Sequence, residues 1–331
     1  MRDDSRFRRA VVIGIALLAI SIFISVYIGN GTVSAGDLIK ASFGNSQEKT
    51  ALLILTRIRI PRTIAAILCG VALSVAGLVL QTVLDNPLAS PGIIGINSGA
   101  GLFVLFAGII FPFSAAAKQL FAFAGAIAAV MAVYMICRLA GFSKMTLILT
   151  GVAVSSLFAA GSNTVITFNP NAVTDKTAFS LGGLSQVSLQ GVLSAIPWIV
   201  ISIIYLFVRS GELDLLPLGD EVSSGLGADP VKLRRISLII AAVLAGAAVS
   251  LCGLLSFVGL IVPNLIRRIC NVKTSHQLIL CIVYGSSFLV ICDCMSRYLF
   301  YPYEIPVGLI LSVIGAPFFI WILIRRKRLA A

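Results

Sequence analysis

Long runs of apolar residues, separated by short polar segments, constrain this sequence more than any other feature. A helix needs about 20 such residues to cross the hydrocarbon core of a bilayer. Only 11% of all residues are charged, whereas soluble proteins average about 25%. We therefore predict a single polytopic, all-α membrane domain over residues 1–331, with about ten transmembrane spans at 10–29, 62–84, 93–112, 119–140, 145–166, 190–208, 237–253, 254–269, 276–295 and 306–324.

The apolar stretch 237–266 determines the number of spans. As one helix it would be roughly 45 Å long, which exceeds a hydrocarbon core of about 30 Å. Gly253, Gly259 and Pro263 offer places to break it into two short spans or a re-entrant hairpin. Basic residues prefer the cytoplasmic side of a membrane. We expect ten spans with both termini in the cytoplasm, because that count places these basic residues there: Arg267, Arg268, Lys273 and the RRKR run at 325–328.

Two similar segments suggest an internal repeat. GVALSVAGL at 70–78 and GAAVSLCGL at 246–254 share the pattern G-x-A-x-S-x-x-G-L, and Pro87 and Pro263 follow them at the same distance. The copies lie in spans two and seven, so spans 2–5 and 7–10 would be inverted relative to each other. Inverted repeats are typical of transporters. Chance is the alternative, because Gly, Ala, Ser and Leu dominate every span.

The segment Gln81–Gly101, QTVLDNPLASPGIIGINSGAG, interrupts the apolar runs with polar residues, prolines and glycines. Irregular backbone at membrane depth is tolerated only where protein or water covers it. One interpretation is the wall or inner gate of a translocation path, and the other is an ordinary tight turn between two spans. The residues that would border the path are Gln81, Asn86, Pro87, Asn97 and Ser98.

Arginines stand at the predicted outer ends of spans two and nine, against the usual preference of basic residues for the cytoplasm. Residues 30–61 form the predicted outer loop, with a short helix around 36–43. These arginines would attract a lipid phosphate or a protein carboxylate. Interfacial anchoring is one alternative, and Asp293 offers the last arginine a structural partner four residues away. The candidate docking residues are Arg59, Arg62 and Arg297.

The longest predicted inner loop, residues 209–235, contains the sequence LGDEVSSGLGADP. Acidic residues at the start and glycines at both ends predict a short helix, since the helix dipole favours acids at the N-terminus and glycine ends helices. Such a helix is suited to docking a soluble partner, whereas a solvated linker is the alternative. The residues assigned to coupling are Gly219, Asp220, Glu221, Leu226 and Gly227.

The residue types argue against chemistry on this chain. His276 is the one histidine, and the seven cysteines form no C-x-x-C motif, which disfavours a metal or haem site. The sequence has no Walker A motif and no nucleophile–base pair, so we predict no catalytic residues, no cofactor and no nucleic-acid partner. An ion-coupled secondary transporter is the alternative class, but such carriers need intramembrane ionisable groups and only Asp293 looks buried. A membrane enzyme would need a polar catalytic cluster.

Four segments carry a resemblance to a known family. RIPRTIAAILCGVALSVAGLVLQTVLDNPLASPGIIGINSGAG, LGDEVSSGLGADP, GLLSFVGLIVPNLIRR and EIPVGLILSVIGAPFFIWIL resemble, in this order, the permeases of ATP-binding-cassette (ABC) importers for iron chelates, haem and cobalamin, the type II importers. One departure is Asn264, where the family commonly has histidine.

The resemblance implies a ten-span subunit in a bacterial or archaeal cytoplasmic membrane, paired with a second permease subunit, the same or related. A cytoplasmic ATPase pair, which binds ATP and magnesium, would dock on the inner-loop helix. An extracytoplasmic substrate-binding protein would present carboxylates to Arg59, Arg62 and Arg297. The expected cargo is a ferric siderophore first, and haem or cobalamin next. The path would run near the cytoplasmic gate beside Gln81–Gly101.

Overall fold

The computed structural model of the chain describes residues 2–27, 49–141, 144–185, 187–270, 272–300 and 302–330. All regular elements in these ranges are helices. They are α1 Arg2–Tyr27, α2 Lys49–Ile54, α3 Ile60–Val83, α4 Ile96–Ile110, α5 Ala115–Ala140, α6 Lys144–Phe168, α7 Val173–Leu181, α8 Leu189–Val208, α9 Ser210–Leu213, α10 Asp220–Gly225, α11 Pro230–Cys252, α12 Val258–Ile269, α13 Thr274–Tyr298 and α14 Val307–Ala330. Short 3₁₀ turns occur at Pro91–Ile94, Pro170–Ala172 and Leu216–Leu218.

Each predicted apolar segment contains one of these helices. Among the described residues, seven helices are long and apolar enough to cross a membrane. The other three predicted spans correspond to α4, to α12 and to α14, whose apolar part is Val307–Ile322. The chain is therefore a multi-pass, all-helical membrane protein.

Helix α3 lies at the centre of the bundle and is buried over most of its length. It packs against α11, α12 and α13. Gly70 on α3 lies against the backbone of Gly285 on α13, and Gly77 lies against the backbone of Gly259 on α12. Lipid tails are as apolar as leucine, so helices in a membrane associate through close packing, which small residues permit. The glycines of α3 thus bring the C-terminal helices close to the centre.

A π-helical turn, Leu55–Arg59, joins α2 to α3 without a break. Residues 49–61 of the predicted outer loop are therefore helical, and this part of the loop prediction was wrong. The π-helical turn forms because of Pro61, which lacks an N–H and whose ring would clash with the Arg57 carbonyl in a regular α-helix. The wider turn accommodates it, because the Ile60 N–H bonds to the Leu55 carbonyl instead. The predicted helix around 36–43 lies outside the described residues.

The long apolar stretch after residue 236 is broken where the sequence suggested. Helix α11 ends at Cys252, and Gly253 follows with a φ of 68°, a conformation that favours glycine. Helix α12 begins at Val258 and contains Pro263. The predicted break at Gly253 is confirmed, whereas Pro263 lies within the second helix instead of ending it.

The bundle has two ends that matter for function. We call the end that carries Arg59, Arg62 and Arg297 the arginine end. We call the end that carries α10 and its flanking loop the acidic end. Helix α3 connects the two, since it begins beside Arg59 and ends two residues before Asp85, which lines a cavity together with Gly219 and Asp220.

Candidate functional site

At the arginine end, two helices bring charged residues together around one buried carboxylate, and a third adds a hydroxyl. Asp293 on α13 is 0% exposed and accepts from the Nε of Arg62 at 2.9 Å and from the Nη2 of Arg297 at 3.1 Å. Arg297 also donates to the hydroxyl of Ser25 on α1 at 2.9 Å. The predicted i,i+4 pair Asp293–Arg297 is confirmed. No local sequence pattern indicated that Arg62, 231 residues from Asp293, would join this pair.

The other partners of these arginines are more peripheral. Arg62 Nη1 lies 2.9 Å from Glu304 Oε2, and Arg59 Nη1 donates to the Val26 carbonyl at 3.1 Å. All three candidate docking arginines are buried, whereas Arg57 is exposed. Their docking role stays a prediction, and the exposed charged or aromatic residues described at this end include Arg57, Tyr303 and Glu304.

A cavity of about 380 Å³ opens beside this network. Three helices and two loops supply the polar part of the lining, which includes both Arg62 and Glu304. The apolar part of the lining includes Phe179 and Val249. The polar residues that line it are Arg62, Lys118, Gln119, Ser185, Ser250 and Glu304.

At the acidic end, the predicted short helix is confirmed as α10. Gly219 precedes it with a φ of 97°, and its Asp220 and Glu221 are exposed. Ser223 fixes the helix to the loop, because its buried hydroxyl donates to the Leu215 carbonyl at 2.8 Å. Asp220 pairs with Arg234 at the start of α11.

The exposed remainder of α10 and its C-terminal turn could contact a partner. Glu221, Leu226 and Gly227 are all exposed, and Leu226 presents an apolar side chain to the surroundings. The loop is shorter than predicted, because α11 begins at Pro230 with Asp229 as its N-cap. Partner docking on this helix stays a prediction.

The segment after α3 forms a compact turn that α12 holds in place. Pro263 lacks an N–H, so the Gly259 carbonyl loses its helical donor. The amide of Gln81, only 2% exposed, donates to that carbonyl at 3.1 Å. Asn264 donates to the Pro87 carbonyl and to the Leu260 carbonyl, both at 2.8 Å.

These bonds support the interpretation of the segment as a tight turn. Asn86 is partly buried and its Oδ1 accepts from the Leu88 N–H at 3.1 Å. Asn97 and Ser98 are partly buried in the first turn of α4. A place for these residues along the path stays a prediction.

Sequence reasoning missed a polar face on α6. Ser156, Asn163, Thr164 and Thr167 are exposed on this helix, although it is one of the seven candidate spans. The two threonine hydroxyls donate to the carbonyls one turn earlier, at 3.0 and 2.9 Å. Asn163 Oδ1 accepts from Lys176 Nζ at 3.2 Å, and an exposed lysine–amide contact is unfavourable against lipid tails. The available signal was the segment GSNTVITFN, whose polar residues recur at helical spacing.

The described residues offer no metal centre. Within these ranges no three His, Cys, Asp or Glu side chains are grouped so that they could hold a metal ion. The described cysteines are buried thiols inside the bundle.

Comparison with known proteins gives consistent matches over nearly the full length. A family model described as the FecCD transport family matches residues 17–325. The Fe(3+)-citrate import system permease protein YfmD of Bacillus subtilis (strain 168) is 34% identical over 328 residues, which cover 99% of this chain and 98% of that protein. The Iron(3+)-hydroxamate import system permease protein FhuG of the same organism is 32% identical over 322 residues, covering 93% and 94%.

One solved structure supports the fold. It is described as an inward-facing conformation of a metal-chelate type ABC transporter, and it superposes on this chain with a TM-score of 0.82. The two chains are 24% identical, and the match covers 96% of this chain and 99% of the other.

Proposed function

The chain belongs to the FecCD transport family, and we propose that it is the membrane permease subunit of an ABC importer that carries a ferric chelate into the cell. The observation that carries this proposal is the polar face of α6 on an otherwise apolar span. A polar face that is unfavourable against lipid is suited to line a hydrated path, or to pack against a second permease subunit across it.

The proposed topology has ten spans, with both termini and the acidic end in the cytoplasm. The basic residues near the acidic end support this orientation. Equivalent contacts support the inverted repeat of spans 2–5 and 7–10. Gly70 of α3 packs on Gly285 of α13, and at the equivalent repeat position Gly246 of α11 packs on Ala126 of α5.

The proposed partners follow from this orientation. A pair of separate ATPase subunits, which bind ATP and magnesium, docks on α10 and its exposed C-terminal turn at Leu226 and Gly227. An extracytoplasmic binding protein delivers the chelate to the arginine end. Between them the path follows the polar face of α6 and ends near Asn86, Asn97 and Ser98.

The proposed cargo is a ferric chelate with carboxylate or hydroxamate ligands. Two relatives that match along nearly the whole chain are named for ferric citrate and ferric hydroxamate. Haem and cobalamin come next. An ion-coupled secondary transporter is less well supported, because the buried carboxylate of Asp293 is paired with two arginines, whereas such carriers use ionisable groups that line the transport path.

The test is uptake into proteoliposomes that contain this chain, together with a candidate ATPase pair and a candidate binding protein from the same organism. We expect radiolabelled ferric citrate or a ferric hydroxamate to accumulate only when ATP is enclosed with the ATPase. An excess of haem or cobalamin should not compete. Uptake driven by a proton or sodium gradient without ATP would contradict the proposal.

A further inference from the structure

Arg62 has two acidic partners of different kinds. Asp293 is fully buried and also pairs with Arg297, so it is fixed within the bundle. Glu304 binds the other side of the guanidinium, and its side chain is 42% exposed. Water competes for the carboxylate of Glu304, whereas the side chain of Arg62 is only 9% exposed, so Glu304 is the member of the pair that solvent can draw away. Glu304 is thus the partner that Arg62 can exchange.

Glu304 also belongs to the mouth of the cavity at the arginine end. Glu304 and Ile305 line this cavity together with Arg62. The next residue along is anchored, because the Ile305 N–H donates to the Ser296 carbonyl at 3.1 Å. The Tyr303 N–H likewise donates to the Phe300 carbonyl at 2.9 Å, so breaking the bond between Glu304 and Arg62 frees the Glu304 side chain while the backbone on either side stays in place.

We propose that Glu304 is an internal substitute for the carboxylate of a docking protein. In the free permease it occupies Arg62, and an acidic side chain of the partner takes its place and releases the Glu304 side chain from the cavity mouth. The exchange of one carboxylate for another keeps Arg62 paired, which avoids leaving a desolvated charge alone. The inference rests on the proposed function, since it assumes a protein partner at the arginine end.

The exposed residues at the arginine end fit an acidic partner. Arg57 is exposed just before Arg59 and Arg62 on the same continuous helix, and its charge would attract an acidic side chain within a Debye length of about 8–10 Å. Tyr303, next to Glu304, is 77% exposed. Tyrosine is enriched among the residues that dominate protein interfaces.

The accessibility of Arg62 tests the exchange without any partner. Phenylglyoxal, which modifies arginine side chains, is added to the purified full-length chain in detergent, and mass spectrometry measures the rate at each arginine. We expect Glu304→Ala to raise the rate at Arg62 about fivefold or more, as for the loss of one weak ion pair. Acetate should fill the vacated space and lower the rate again, whereas chloride at the same ionic strength should not.

Two arginines near Arg62 serve as internal controls. Arg57 is exposed and should react equally in parent and variant. Arg59 is buried and bonded to the Val26 carbonyl, so it should stay protected in both. If Glu304→Ala also exposes Arg59, the variant is partly unfolded, and Glu304→Gln, which keeps the size of the side chain, decides by the same comparison.

Docking gives the second readout. The probe is the binding protein that supports ferric chelate uptake in the proteoliposomes. Glu304→Gln should bind it more tightly than the parent at high salt as well as low salt, because a competitor in direct contact has been removed. Simple repulsion between surface charges would instead be screened by salt.

The outcomes separate the two proposals. Equal rates at Arg62 in the parent and in the folded Glu304 variants overturn the exchange, even if the binding protein docks normally. A parent chain that docks no binding protein overturns the proposed delivery of the chelate, whatever the rates at Arg62. An advantage of Glu304→Gln that disappears at high salt also overturns the exchange.

Discussion

Asp293 shows what one side chain can organise inside a membrane bundle. It is fully buried and it binds Arg62 from α3 and Arg297 from its own helix. A buried carboxylate is costly without partners, so the two arginines and the carboxylate depend on one another. The arginines that look exposed in the sequence are therefore held inside the bundle.

Replacement of Arg62 should destabilise the protein. Arg62→Ala leaves Asp293 with Arg297 as its remaining ion-pair partner and removes the ion pair between Arg62 and Glu304. Breaking a buried pair costs about 3–5 kcal/mol. We expect a clear fall in the thermal unfolding temperature of the detergent-solubilised chain. Arg57→Ala is the matched control, because Arg57 is exposed on the same continuous helix. Equal unfolding temperatures for the two variants would contradict a structural role for Arg62.

The sequence could predict one half of this network and not the other. The Asp293–Arg297 pair lies within one helix, where a spacing of four residues places side chains on one face. The contact of Arg62 with Asp293 depends on how α3 packs against α13, and no local pattern contains that information. The burial of Arg59 and Arg62 follows from the same packing.

At the scale of helices, the contact between α3 and α12 depends on glycine. A methyl group added at Gly77 would collide with the backbone of Gly259. Gly77→Ala should therefore separate the helices, at a cost of about 1–3 kcal/mol or more, and should abolish uptake. Gly101→Ala on α4 should be tolerated, since the nearest atom to its added methyl group is 3.6 Å away on Phe179. Normal uptake by Gly77→Ala would contradict this packing.

Helix α10 should be required for coupling to the ATPase. Glu221→Lys places a cation at the start of the helix, where the dipole favours an anion, and it reverses the charge of the exposed face. We expect uptake to fall while membrane insertion stays normal. Arg138→Glu, an exposed charge reversal at the end of α5, serves as the control and should transport normally. Full transport by Glu221→Lys with the ATPase attached would exclude this role.

Local signals predicted the helices well where glycine, proline and charge mark an end. Gly219 and the acids after it defined α10, and Gly253 ended α11. The start of the helix before α3 was missed because Thr56, Arg57 and Arg59 resemble a loop. The π-helical turn instead continues the helix through them.

At the scale of the whole molecule, topology can be tested directly. Lys273→Cys and Tyr303→Cys introduce exposed thiols at the two ends of α13. The described native cysteines are buried and should react slowly. A thiol reagent that does not cross membranes should label position 303 from outside intact cells, and position 273 only after the membrane is opened. Labelling of both positions from one side would contradict the proposed ten-span topology.

The central position of α3 also sets an order of events during synthesis. This helix leaves the ribosome early, yet its polar side chains find their partners on helices made much later: Ser74 bonds to the Cys281 carbonyl, 207 residues away, and Arg62 bonds to Asp293, 231 residues away. At roughly 5–20 residues per second, the wait lasts about 10–50 seconds. Throughout that interval the charged helix lacks its permanent partners, so the centre of this permease cannot be completed until most of its last third has been made.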